Sequence, residues 1–96
     1  MARPDVPIPR SAKLTDTITG TNAHGAQVTV QRYGPLVRGG KPIEWIRWER
    51  RNTDGTTQRW AEQVTGRRLR TIDTELDKIE ADFAALATGS TRTRAA

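Results

Sequence analysis

The stretch EWIRWERRNTDGTTQRWAEQ, Glu44 to Gln63, places three tryptophans and four arginines on either side of an Asn-Thr-Asp-Gly turn sequence. Guanidinium forks grip phosphate oxygens and guanine edges, and aromatic planes stack on unpaired bases. If the two arms are strands, Trp45, Arg47, Glu49, Arg51, Arg59 and Gln63 share one side by their odd numbers. Gln31 and Tyr33 of the preceding segment have the same parity. In that register Glu49 opposes Arg59, while Arg47 and Arg51 meet no acidic residue. The chemistry on offer is capture of a polyanion. Two further basic stretches strengthen it: RGGK, with Arg38 and Lys41, and GRRLR, with Arg67, Arg68 and Arg70. The expected nucleic-acid contacts are therefore Trp45, Arg47, Arg51, Arg59, Tyr33, Arg67, Arg68 and Arg70. The plain alternative is a solvated strand face whose charges discourage edge pairing.

Residues suited to bond-making are scarce. The single histidine, His24, falls in a predicted tight turn, and there is no cysteine, so no nucleophile–base arrangement can be assembled. Asp73, Asp77 and Glu80 would lie on one helical side, where carboxylates ordinarily form a solvated face. RGGKP lacks the strand–loop–helix setting of a phosphate loop. The expectation is a protein without catalytic activity, cofactor or metal.

The chain has 96 residues, enough for one domain with a small core. Its formal charge of +5 is unevenly spread: residues 71–88 hold five acidic residues and one basic one. A basic body beside an acidic segment suggests a polyanion met on one side only. Thirteen of the sixteen cationic residues are arginine, so placement is more informative than abundance. The opening MARPDVPIPRS has no apolar run, and no stretch reaches membrane-spanning length. The expectation is a cytoplasmic protein with no membrane partner.

The elements that would position the basic side chains follow from periodicity. KLTDTITGTNAHGAQVTVQRYG alternates with period two around a turn at Asn22–Gly25. A three-residue loop with Gly25 at positive φ would set Asn22 opposite Ala26, Ile18 opposite Val30 and Asp16 opposite Arg32. The same rule applied to Asn52–Gly55 sets Trp48 opposite Trp60, Ile46 opposite Glu62 and Arg50 opposite Gln58. Both hairpins then turn their even-numbered apolar residues to one side: Leu14, Ile18, Val28, Val30, Ile46, Trp48, Trp60 and Val64. Gly34 to Pro42 reads as a loop by its glycines and prolines. From Leu69 the apolar residues recur at Ile72, Leu76, Ile79, Phe83 and Leu86, a helical stripe. The arginines at 67, 68 and 70 oppose a helix dipole, so the helix is expected to start near Thr71 and to stop at Gly89. Its acidic side is expected to face outward.

These elements predict an α+β fold, an antiparallel four-stranded β-sheet of two hairpins packed on one C-terminal α-helix. Residues 1–12 are expected to form a flexible basic arm, 13–88 the single β-β-β-β-α domain, and 89–96 a disordered tail. The Trp/Arg strand, the Asp-Gly turn, GRRLRT and the acidic DTELDKIEADF together resemble AP2-type and integrase arm-binding domains. That resemblance implies strands laid against duplex DNA and a helix bracing them from behind. The expected partner is nucleic acid, DNA ahead of RNA. The alternative is an interaction module docking on an acidic host protein, with a homodimer formed through the helical stripe.

Overall fold

The computed structural model describes residues 5–86 and 91–94. Five strands, β1 (Leu14–Thr21), β2 (Gln27–Arg38), β3 (Lys41–Arg51), β4 (Thr57–Val64) and β5 (Thr91–Arg94), and one helix, α1 (Gly66–Ala85), make up the fold. The strands form one antiparallel sheet in the order β4-β3-β2-β1-β5. The expected architecture is present, with five strands in place of four.

Turn chemistry sets the register of both sequence-predicted hairpins. The Asn22 carboxamide oxygen accepts from the His24 and Ala26 amides, each at 3.0 Å, and Gly25 takes φ +81°. The Asn22 amide in turn donates to the Ala26 carbonyl at 2.9 Å. The second turn repeats this plan, with Asn52 donating to the Thr56 carbonyl at 2.8 Å and Gly55 at φ +90°. Every cross-strand pair expected from these turns is found, including Ile18 with Val30, Asp16 with Arg32 and Trp48 with Trp60. The helix packs on the even-numbered side. Ile18, Val28, Val30, Ile46 and Val64 meet Ile72, Leu76 and Phe83, with Trp48, Leu69 and Ile79 at the margin. Trp48 and Trp60 stack 5.9 Å apart but are only half-buried, because they sit at the rim of the helix's cover.

Four expectations are corrected. Gly34 to Pro42 is not a loop but an extension of β2 and β3, turned by Gly39 and Gly40 with φ of +57° and +76°. Two consecutive positive φ values suit the tight hairpin turn whose twist matches paired strands. A bulge between Tyr33 and Leu36 accommodates Pro35 within the strand. Leu14 is exposed, because a bulge between Leu14 and Asp16 removes it from the even-numbered set. The helix begins at Gly66, five residues earlier than expected, and Arg68 is compensated there by Glu62 and Glu75. The acidic side of α1 faces the arginines of the sheet, as detailed below.

Residues 5–12 and 91–94, within the expected arm and tail, are tied to the sheet. Within the expected arm, Val6 donates to the Ala61 carbonyl at the β4 edge (2.9 Å), and Ala12 is buried beside β1. Residues 5–12 must therefore cross β3 and β2, with the prolines at 7 and 9 favouring an extended start and a turn closed by Ala12 donating to the Pro9 carbonyl at 3.0 Å. Within the expected tail, Thr91–Arg94 pair with β1. The rest of both segments, and the expected helix stop at Gly89, lie outside the described residues.

Gly20, near the end of β1, has a packing reason. A Cβ there would lie 2.8 Å from Phe83 Cβ and closer still to its ring. Gly20→Ala should lower stability in urea denaturation by about 1–3 kcal/mol through overpacking. In the double variant with Phe83→Leu the two losses should add to less than their sum. A neutral Gly20→Ala would show that Phe83 does not seat against this glycine.

Candidate nucleic-acid interface

Two carboxylates on the helix-facing side of the sheet, Asp16 and Glu44, are buried. Each is met by an arginine. The Arg32 guanidinium donates twice to Glu44, at 2.5 and 3.0 Å, and reaches Asp73 of the helix at 2.5 Å. Arg92 of β5 donates to Asp16 at 3.0 and 2.8 Å, to Asp77 at 2.6 Å and to Glu80 at 3.3 Å. Arg68 joins Glu62 to Glu75 at the start of the helix. Hydrogen bonding to Glu44 raises the Arg32 guanidinium above its ordinary range against the opposing effect of burial, and Asp16 does the same for Arg92. Glu62 raises Arg68 in the same way. The acids that could have suggested a metal site, Asp73, Asp77 and Glu80, thus face arginines. Among the described residues no three His, Cys, Asp or Glu side chains are grouped as metal ligands would be.

The eight carboxylates in described ion pairs are met by only four arginines, the three above and Arg59. Those groups together stand at −4, so with +5 over the whole chain the remainder stands at +9. Pairing has gathered the negative charge between sheet and helix and left cations elsewhere.

The expected contact residues divide into three groups. Trp45 is 1% exposed and offers no plane to solvent, which corrects its assignment. It lies on the odd-numbered side, as expected, but at the end of the sheet crossed by residues 5–12, with the Arg38 guanidinium 5.7 Å from its ring centroid. Arg59 and Arg68 are held by acids, Arg59 by Glu49 at 3.0 Å. Arg47, Arg51, Arg67 and Arg70 are exposed and take part in none of the described ion pairs. Arg47 stands 5.4 Å from the ring centroid of Tyr33, whose hydroxyl donates to Gln31 at 3.2 Å. Arg47 and Gln31 border a shallow cleft of about 490 Å³ that also takes in Asp5, Glu49, Arg59 and Trp60. Its mixed charge suits it less to a polyanion.

A second and larger cleft, about 700 Å³, opens between the β2–β3 hairpin and the start of α1. Arg38 and Lys41 enter it from the hairpin, and Arg67 and Arg70 from the helix. Pro42, Ile43 and Leu69 supply apolar wall, and no carboxylate lines it. The sequence flags both basic stretches, RGGK and GRRLR. It gives no sign that they meet, because reading Gly34–Pro42 as a loop leaves Arg38 and Lys41 without a position.

Comparison with protein-family models, curated proteins and solved structures finds no match.

The two kinds of arginine should respond differently to removal. Arg92 is 5% exposed in its side chain, and losing it removes two hydrogen-bond donors from the buried carboxylate of Asp16. Arg92→Ala should cost about 3 kcal/mol in chemical denaturation. Arg59, 69% exposed, should cost less than about 1 kcal/mol as alanine. Equal losses would mean that Asp16 is answered by other groups.

Proposed function

We propose that the protein binds nucleic acid, DNA ahead of RNA, through the cleft between the β2–β3 hairpin and the start of α1. The observation that carries this reading is the convergence of Arg38, Lys41, Arg67 and Arg70 on one cleft with no carboxylate in its lining. Like charges gathered this way repel one another, and Arg67 and Arg70 also oppose the positive end of the helix dipole. The arrangement lowers the stability of the free protein and favours an anionic partner. Arg47 and Arg51, exposed on β3, extend the positive surface. Phosphate contacts of this kind supply affinity and orientation without reading sequence.

An acidic protein is the second reading. Val37, 71% exposed on the same hairpin as Arg38 and Lys41, is the kind of apolar residue a protein interface uses. The coiled-coil homodimer is not carried further, because Ile72, Leu76 and Phe83 of the helical stripe are buried against the sheet.

Fluorescence anisotropy with a labelled 20-base-pair DNA at two or more salt concentrations tests the proposal. Binding should weaken steeply as salt rises. Arg67→Ala with Arg70→Ala should lower the slope of log K against log salt by about 1.8, two contacts at roughly 0.9 each. The same double change should leave thermal stability unchanged or slightly raised. Absence of DNA binding at low salt would overturn the reading in favour of a protein partner.

A further inference from the structure

The β2–β3 hairpin is longer than the sheet that carries it. β1 pairs with β2 only as far as Tyr33, and β4 pairs with β3 only from Glu44. Beyond them Leu36–Ile43, Val37–Pro42 and Arg38–Lys41 pair with each other alone. A Cβ built on Gly39 or Gly40 would meet nothing within 4 Å, so among the described residues nothing crowds the turn at these two positions. Three pairs and a turn, at about 3.4 Å per residue, project roughly 10 Å. The major groove of B-DNA is about 12 Å wide and 8.5 Å deep and admits a two-stranded ribbon.

Composition supports the fit. Strand alternation puts the Arg38 and Lys41 side chains on one face of the ribbon and the Val37 side chain on the other. A single exposed valine on a protein surface needs no explanation. Here it stands near the tip of a projecting ribbon whose last paired residues are both cationic. Arg67 and Arg70 lie at the ribbon's base, across the cleft from Arg38 and Lys41.

We propose that this ribbon enters the major groove of duplex DNA, with Val37 against base edges and Arg67 and Arg70 on the phosphates of the adjoining backbone. The proposal rests on the nucleic-acid reading above and adds the form of the ligand and the groove. An apolar contact of this kind suits the thymine methyl group, which the major groove alone displays. An RNA duplex carries comparable charge, but its major groove is deep, narrow and closed to side chains.

Dimethyl sulfate distinguishes the grooves, since it methylates guanine N7 in the major groove and adenine N3 in the minor. With the full-length protein on a 20-base-pair DNA, guanine N7 should be protected and adenine N3 should not. The DNA duplex should be bound more tightly than an RNA duplex of the same sequence. Val37→Ser should weaken duplex DNA binding roughly five- to tenfold, the low end of one base-edge contact, while leaving the salt slope unchanged. Duplex binding without N7 protection, with equal affinity for the RNA duplex, would overturn the ribbon and leave the nucleic-acid reading standing. No binding to either duplex at low salt would overturn both.

Discussion

Asp16 and Glu44 are carboxylates placed on a sheet face that a helix must cover, and an ionised carboxylate cannot be buried without a partner. Much of the architecture satisfies that requirement. Arg32 reaches across the sheet to Glu44 and upward to Asp73, so it ties β2 and β3 to α1. Arg92 brings β5 to the edge of β1, meeting Asp16 below and Asp77 and Glu80 above. The apolar stripe decides that the helix lies on this face. The arginines favour an orientation that brings the acidic side of α1 over the guanidinium groups. Two kinds of cohesion thus share one interface, with Ile72, Leu76 and Phe83 on the sheet's aliphatic residues and charge pairs beside them.

The same requirement shapes the outer surface. Each carboxylate engaged between sheet and helix has its charge answered there by Arg32, Arg68 or Arg92, and so does not neutralise a lysine or arginine elsewhere. Arg38, Lys41, Arg67 and Arg70 then face one cleft without an acid in its lining. Stability and polarity are linked here, since the pairs that hold the helix also segregate charge. A protein with the same composition but scattered pairing would carry the same net charge and present no comparable basic cleft.

The odd-numbered side of the sheet shows how a short segment changes a surface. Strand alternation correctly puts Trp45 on the side away from the helix, yet the chain leading into β1 crosses that end and Arg38 lies over the indole. What remains open, around Arg47 and Gln31, is bordered also by Asp5 and Glu49. The more uniform positive charge is at the projecting end of the molecule.

Both three-residue hairpin loops were legible in the sequence, and with them the register of β1 with β2 and of β3 with β4. Side-chain oxygens of Asn22 and Asp54 that accept amides within the turn, and a Gly at positive φ in each, act over only five residues. The helical stripe was legible for the same reason, since its period is local. Leu14 and the Gly34–Pro42 segment were misread because bulges obey neighbouring strands, and a pair of glycines serves a tight hairpin as well as a loop. The burial of Trp45, the early start of α1 and the pairing of Arg92 with Asp16, 76 positions apart, depend on contacts between residues remote in the chain. Local backbone chemistry therefore determined which residues are paired within each hairpin and which sides are apolar. Only the assembled tertiary structure decided which arginines are neutralised and which remain free, because a guanidinium's partner is set by distance in space and by the need of a buried carboxylate.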